Sequence, residues 1–307
     1  MRKWSALLIG FTAAGCGVEL SEVHGPDDSS RPPSLSIGPP ALVAGVTTGV
    51  YFACAVRTAG PLVCWGDDFG GQTRPPGGQF IQVAAGYFHS CAIRKDGTVD
   101  CWGFGESGET TPPAGTFTKV SAGSGFTCGI RSDATIACWG YEADSRTSPP
   151  EGSFVDLSLF SAHGCAIRTD GTLACWGLND HGVASPPEGT FTRVSTGEVH
   201  TCAIRTDGGL QCWGYPGDDR TNPPEGTFAE VGAGMYHTCA IRTDGTLACW
   251  GLDVSGETQP PTGTFTQVSS QQYYSCGLRT DGFVECWGSD SHGQASPPGG
   301  VRPPGGP

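Results

Sequence analysis

From about residue 38 to about residue 298 the sequence repeats one 37-residue unit seven times, and each copy carries two cysteines ten residues apart. A unit that short holds only a few strands and cannot bury its own apolar surface, so neighbouring copies must cover one another. The cysteines fall at Cys54 and Cys64, Cys91 and Cys101, Cys128 and Cys138, Cys165 and Cys175, Cys202 and Cys212, Cys239 and Cys249, and Cys276 and Cys286. Between them, each copy reads as two short strands around a tight turn; residues 165–177 and 239–251 are both CAIRTDGTLACWG. Thr-Asp-Gly suits a three-residue hairpin loop with its glycine in the left-handed region. That register sets the two cysteines opposite each other as a non-hydrogen-bonded pair, where Cα atoms lie about 4.5 Å apart, at the short end of the disulfide range. Ile167 and Leu173, two positions inside the cysteines, then face each other as well.

Two other cysteine chemistries compete with the disulfide. Structural zinc sites use half-site spacings of about two to four residues, and no second pair is supplied within a unit. Thiol redox chemistry favours Cys-x-x-Cys, which the sequence lacks. One disulfide per copy is therefore expected, each contributing about 2–3 kcal/mol over so short a loop.

The remainder of the unit is also regular. A Phe-x-x-Val strand precedes most cysteine pairs, as at Phe80 and Val83 or Phe228 and Val231, and Trp-Gly, a polar loop and Pro-Pro follow. Proline cannot donate to a sheet, so the double proline marks the passage between copies. With 49 Gly, 24 Pro, 37% hydrophobic and 15% charged residues, the chain is too rich in turn formers for a helical bundle and too apolar for disorder. An all-β array follows.

Outside the array the N-terminus reads as a processing signal. Arg2 and Lys3 precede an apolar run, and Ala13-Ala14-Gly15 places small residues before Cys16, the one cysteine outside the pairs. Residues 1–15 resemble a bacterial lipoprotein signal peptide, which implies lipidation at Cys16. Ala13 stands where such signals usually carry leucine, and a plain cleaved secretion signal is the alternative. Residues 16–37 would be the lipidated cysteine and a flexible proline-rich tether, and 299–307 a Gly/Pro tail. Gly17 lacks the aspartate that commonly retains such proteins at the inner membrane, so an extracytoplasmic address on the outer membrane or cell surface is expected.

The pattern Gly-x-x-His-x-Cys-Ala-Ile-Arg-x-Asp-Gly-Thr-Leu-x-Cys-Trp-Gly resembles the regulator of chromosome condensation repeat over about residues 38–300. Repetition alone would allow an open solenoid; the resemblance implies a closed seven-bladed β-propeller over 38–298. The short unit is closer to the family's secreted beta-lactamase-inhibitor branch than to its longer-bladed eukaryotic exchange factors. The paired cysteines depart from both.

Which positions carry function follows from comparing the copies. Residues present in every copy, such as Trp65 through Trp287 and Arg57 through Arg279, read as repeated packing. His89, His163, His200 and His237 share one position and could suggest a metal ring, but Phe52, Phe126 and Tyr274 fill the same position, which marks it as packing. No metal or other cofactor is expected. The turn just before that position varies freely and supplies Tyr51, Tyr87, Phe88, Glu198, Met235, Tyr236 and Tyr273. All seven turns should gather on one rim. Its composition is that of a protein-binding surface, or else some of these residues shield the central channel; both readings stand on sequence alone.

The loops after Trp-Gly are acidic, with Asp67, Asp68, Glu106, Glu142, Asp144 and Asp180 among them, and lack calcium-loop spacing. A net charge of −13 argues against nucleic acid, which needs clustered cations. No Gly-x-Ser-x-Gly, phosphate-loop or His-Glu-x-x-His motif supplies a catalytic residue. The expected protein is a monomeric, noncatalytic, lipid-anchored scaffold that binds a protein partner on its rim, an enzyme it inhibits being one such partner. It would touch the membrane through its lipid only. A carbohydrate-binding or carbohydrate-active propeller is the alternative.

Overall fold

The computed structural model describes residues 42–302; the expected signal peptide, Cys16 and tether lie outside them. Seven three-stranded antiparallel sheets follow one another along the chain, at 43–66, 80–103, 117–140, 154–177, 191–214, 228–251 and 265–288. They are numbered here as blades 1 to 7. Each blade has an inner, a middle and an outer strand, which in blade 4 are Phe154–Leu159, His163–Arg168 and Leu173–Gly177.

The hairpin has the register expected from its turn. Cys165 pairs with Cys175 and Ile167 with Leu173, the Arg168 N–H donates to the Thr172 carbonyl, and Gly171 sits at φ 86°. Asp170 fixes the turn by accepting both the backbone N–H and the hydroxyl of Thr172. All seven disulfides are formed, with Cα separations of 4.0–4.1 Å. These are tighter than the expected 4.5 Å, in keeping with the close approach of a non-hydrogen-bonded strand pair.

The ring closes. In successive blades the first residue donates its N–H to the turn residue of the blade before, as Phe80 does to Gly60 and Phe191 to Gly171; Val43 of blade 1 does the same to Gly282 of blade 7. One axial cavity touches the inner strands of all seven blades, which an open solenoid would not give.

The closing seam is built differently from the other junctions. Where most blades start with phenylalanine, blade 1 starts with the smaller Val43, and Val301 joins the apolar cluster made by Val43, Val46, Tyr274 and Val284. Val301 is fully buried and its carbonyl accepts the Val284 N–H, so part of the segment read as a Gly/Pro tail is tied into the seam. Tyr274 completes it by donating to the Gly49 carbonyl at 2.8 Å.

Candidate functional site

The residues repeated in every blade are committed to packing, the tryptophans between blades and the arginines within them. Each tryptophan indole donates to a backbone carbonyl in the preceding blade's loop, from Trp102 to Gln72 at 2.8 Å through Trp287 to Glu257 at 2.9 Å, with Trp65 closing the ring on Gln294 at 2.9 Å. In blades 2 to 7 the arginine lies over the phenylalanine that starts its own blade, as Arg94 does over Phe80 at 4.8 Å and Arg168 over Phe154 at 5.0 Å.

The four histidines are buried and bond forward. Nε2 of His89, His163, His200 and His237 meets the hydroxyl of Thr127, Thr201, Thr238 and Ser275 at 2.7–2.9 Å. Burial lowers their pKa from the ordinary 6.5 to about 4 for His89 and His163 and to about 3 for His200 and His237. Among the described residues, no group of three or more His, Cys, Asp or Glu side chains is placed to hold a metal ion.

Sequence reading missed how the inner strands are joined. They exchange no ladder bonds; instead a side chain of one blade accepts a backbone N–H of the next. Ser121 takes the Leu159 N–H at 2.9 Å, Ser158 that of Thr196 at 3.0 Å, Ser195 that of Ala233 at 2.8 Å, and Ser269 that of Thr48 at 3.0 Å. Two residues earlier on the inner strand Gln82, Asp156 and Gln267 do the same for Val120, Val194 and Val46. Asp156 also pairs with Lys119, and Arg193 with Glu230 at 3.4 Å, beside a cavity of about 520 Å³ at that end of the channel. Burial raises the Glu230 pKa against the opposing pull of Arg193 and Lys119. The recurrence of Ser or Thr at one inner-strand position and of polar residues two positions earlier signals this network in the sequence.

At the other end of the channel lie the variable turns, and the structure separates the residues singled out there. Tyr87 of blade 2 donates its hydroxyl to Glu198 of blade 5, which also accepts from Ser161 of blade 4 at 2.9 Å. This bridge lies over the axial cavity that Tyr87 and Phe160 help to line, with Tyr87 edge-on to Phe160 at 5.9 Å. Burial and the Glu198 charge raise the Tyr87 pKa well above that of a free phenol. Phe88 is exposed, Tyr236 and Tyr273 lie together at 5.5 Å, and Tyr51 stacks on His292 at 4.3 Å across the seam. Met235 is half-buried beside Tyr236.

A second ring of side chains surrounds the turns. The residue after each Trp-Gly bonds the turn through its backbone, as Phe104 does to Phe88, Tyr215 to Val199 and Leu252 to Tyr236. Phe104, Tyr141, Leu178 and Tyr215 are exposed there, and Phe69 and Val254 in the same loops are more exposed still, at 87% and 66%. The loop carboxylates lie among them. The sequence held the signal, since these positions vary as freely as the turns, but the acidic residues of the loops drew attention away from it.

Several known proteins resemble this chain. A family model for the Regulator of chromosome condensation (RCC1) repeat matches residues 80–109, 117–145, 161–183, 191–219 and 228–257. The crystal structure of the CRINKLY WD40 ectodomain from the Arabidopsis thaliana receptor kinase ACR4 is 26% identical, with a TM-score of 0.69 over 81% of this chain and 96% of that one. The ectodomain of the Physcomitrella patens receptor kinase CR4 is 23% identical, with a TM-score of 0.69 over 81% of this chain and 74% of its own. Prp20p from Saccharomyces cerevisiae, described with its binding to Gsp1p and histones, is 16% identical, with a TM-score of 0.66 over 76% of this chain and 82% of that one. No curated protein matches the chain significantly.

Proposed function

The chain belongs to the regulator of chromosome condensation (RCC1) repeat family, and from that premise we propose that it is a noncatalytic scaffold whose variable face binds a protein partner. The observation that supports this most is the pairing of two variable positions per blade on one face, which sets exposed Phe69, Phe88, Tyr141 and Tyr215 among acidic loops. Rigid aromatics on short loops give contact area at little entropic cost. The negative net charge favours a basic or neutral partner. Tyr87 and Glu198 serve mainly to close the channel beneath that face, while Phe88, Tyr236 and Tyr273 face the partner.

Seven disulfides suit an oxidising compartment outside the cytoplasm. Together with the lipoprotein-like N-terminus they support a lipid-anchored scaffold at the cell envelope, an enzyme inhibitor being one form of it. Affinity capture from an envelope extract tests the reading. A protein retained by the native chain and by an Ile81→Ser, Val155→Ser variant of the opposite face should be lost on Phe88→Ser, Tyr236→Ser, Tyr273→Ser. Equal capture by all three would overturn it, and specific glycan-array binding without a protein partner would favour the carbohydrate alternative.

A further inference from the structure

The loops after Trp-Gly fall into two backbone forms. In blades 3, 4 and 5 two successive residues take positive φ: Asp144 and Ser145 at 52° and 59°, His181 and Gly182 at 58° and 76°, Asp218 and Asp219 at 57° and 56°. In blades 1, 2, 6 and 7 only the second position does, at Gly71, Gly108, Gly256 and Gly293. Loops 3, 4 and 5 are therefore alike in backbone, and their side chains can be compared position by position.

Loops 3 and 5 each end in a buried arginine. Arg146 donates to the Asp144 carboxylate at 2.9 Å and to the Ser124 carbonyl at 3.3 Å, and its guanidinium lies over Phe126 and Tyr141 at 5.8 and 5.2 Å. Arg220 pairs with Asp218 and lies over Tyr215 and Tyr236 at 5.3 and 5.5 Å. The two-ringed face thus contains two guanidinium slots, both filled from within the chain.

Loop 4 has the same frame without the arginine. Val183 stands where Arg146 and Arg220 stand, Leu178 replaces the tyrosine, and Ser161 and His163 occupy the places of Ser124 and Phe126. These residues line a pocket of about 160 Å³. Ala162 and Val199 add apolar wall, the His181 ring lies against Tyr215 at 4.9 Å on one side, and the edge carries two carboxylates, Asp180 and Glu198. Glu198 is held in place by the Tyr87 and Ser161 hydroxyls. Asp180 is exposed and accepts no side-chain hydrogen bond or ion pair among the described residues.

We propose that the blade 4 pocket is an open guanidinium slot that receives an arginine side chain from the partner protein, in the place where blades 3 and 5 hold their own. The proposal rests on the protein-binding reading and gives that partner a chemical signature. The apolar walls take the methylene stem, and the flat cation meets carboxylates on a face already built to hold two such groups. Arginine fits better than lysine because both filled slots place a guanidinium over ring faces as well as beside a carboxylate.

The test is methyl NMR of the full chain titrated with Nα-acetyl-arginine amide, with Nα-acetyl-citrulline amide as the uncharged isostere. Saturable shifts at Leu178, Val183 and Val199 with the arginine probe, at least tenfold weaker with citrulline, are expected. Val183→Arg should fill the slot from within, as Arg146 and Arg220 do, and weaken the arginine probe at least tenfold while the remaining methyl spectrum is retained. Glu198→Gln gives a second variant, with binding reduced and less dependent on salt. Equal affinity for both probes, unchanged binding in Val183→Arg, or no saturable shift at these methyls would overturn the slot. A partner that is still captured through Phe88, Tyr236 and Tyr273 in those circumstances would leave the docking face standing without it.

Discussion

At the scale of the residue, the buried histidines set an acid limit on stability. Above about pH 6.5 they are neutral in both the folded and unfolded states and contribute no pH dependence. Below it the unfolded chain takes up protons that the native chain refuses until about pH 4 for His89 and His163 and about pH 3 for His200 and His237. Stability therefore falls as the pH falls through that window, by up to about 1.4 kcal/mol per pH unit for each histidine. Denaturant midpoints between pH 7 and 4 should show this slope, and His200→Phe, which installs the residue that blades 1 and 3 carry at this position, should remove one histidine's share of it. An unchanged slope would mean that these side chains are not held neutral. Their packing role was legible in the sequence because phenylalanine and tyrosine share their position; their forward bonds to the next blade's hydroxyl were not, because each partner lies 38 residues away.

At the scale of the element, what was local in sequence was legible and what was remote was not. The hairpin register, the disulfides and the left-handed turn glycine all follow from the ten residues between two cysteines. The hydroxyl links between inner strands do not, since a serine in a strand carries no mark of which N–H it will accept. Nor does the seam: Val301 sits in a Gly/Pro stretch and gains meaning only from the small Val43 at the start of blade 1. Val301→Ser should lower the stability of the whole ring by about 2 kcal/mol, from lost apolar burial and a hydroxyl placed in an apolar cluster. Ile81→Ser, at a position 55% exposed, should change it by less than about 0.5 kcal/mol. Equal effects in chemical denaturation would remove the seam from the account.

At the scale of the molecule, seven near-identical blades make a closed ring whose two ends differ in chemistry. One end gathers the Asp-Gly turns and the paired charges around Lys119, Asp156, Arg193 and Glu230. The other gathers the variable turns and loops, with aromatics and loop carboxylates on the surface and the Tyr87–Glu198 bridge beneath. The turn half of that face was found by asking where the copies disagree. The loop positions vary as freely and Val183 lies one 37-residue repeat from both Arg146 and Arg220, but only the structure shows that those arginines are buried over aromatic rings and that the blade 4 position opens on a pocket. Hydrogen exchange of the chain with and without its captured partner tests the central claim most directly. Protection confined to the turns around Phe88, Tyr236 and Tyr273 and to the loops holding Phe69, Tyr141 and Tyr215 is the predicted result; protection centred on the Asp-Gly turns at the opposite end would contradict it.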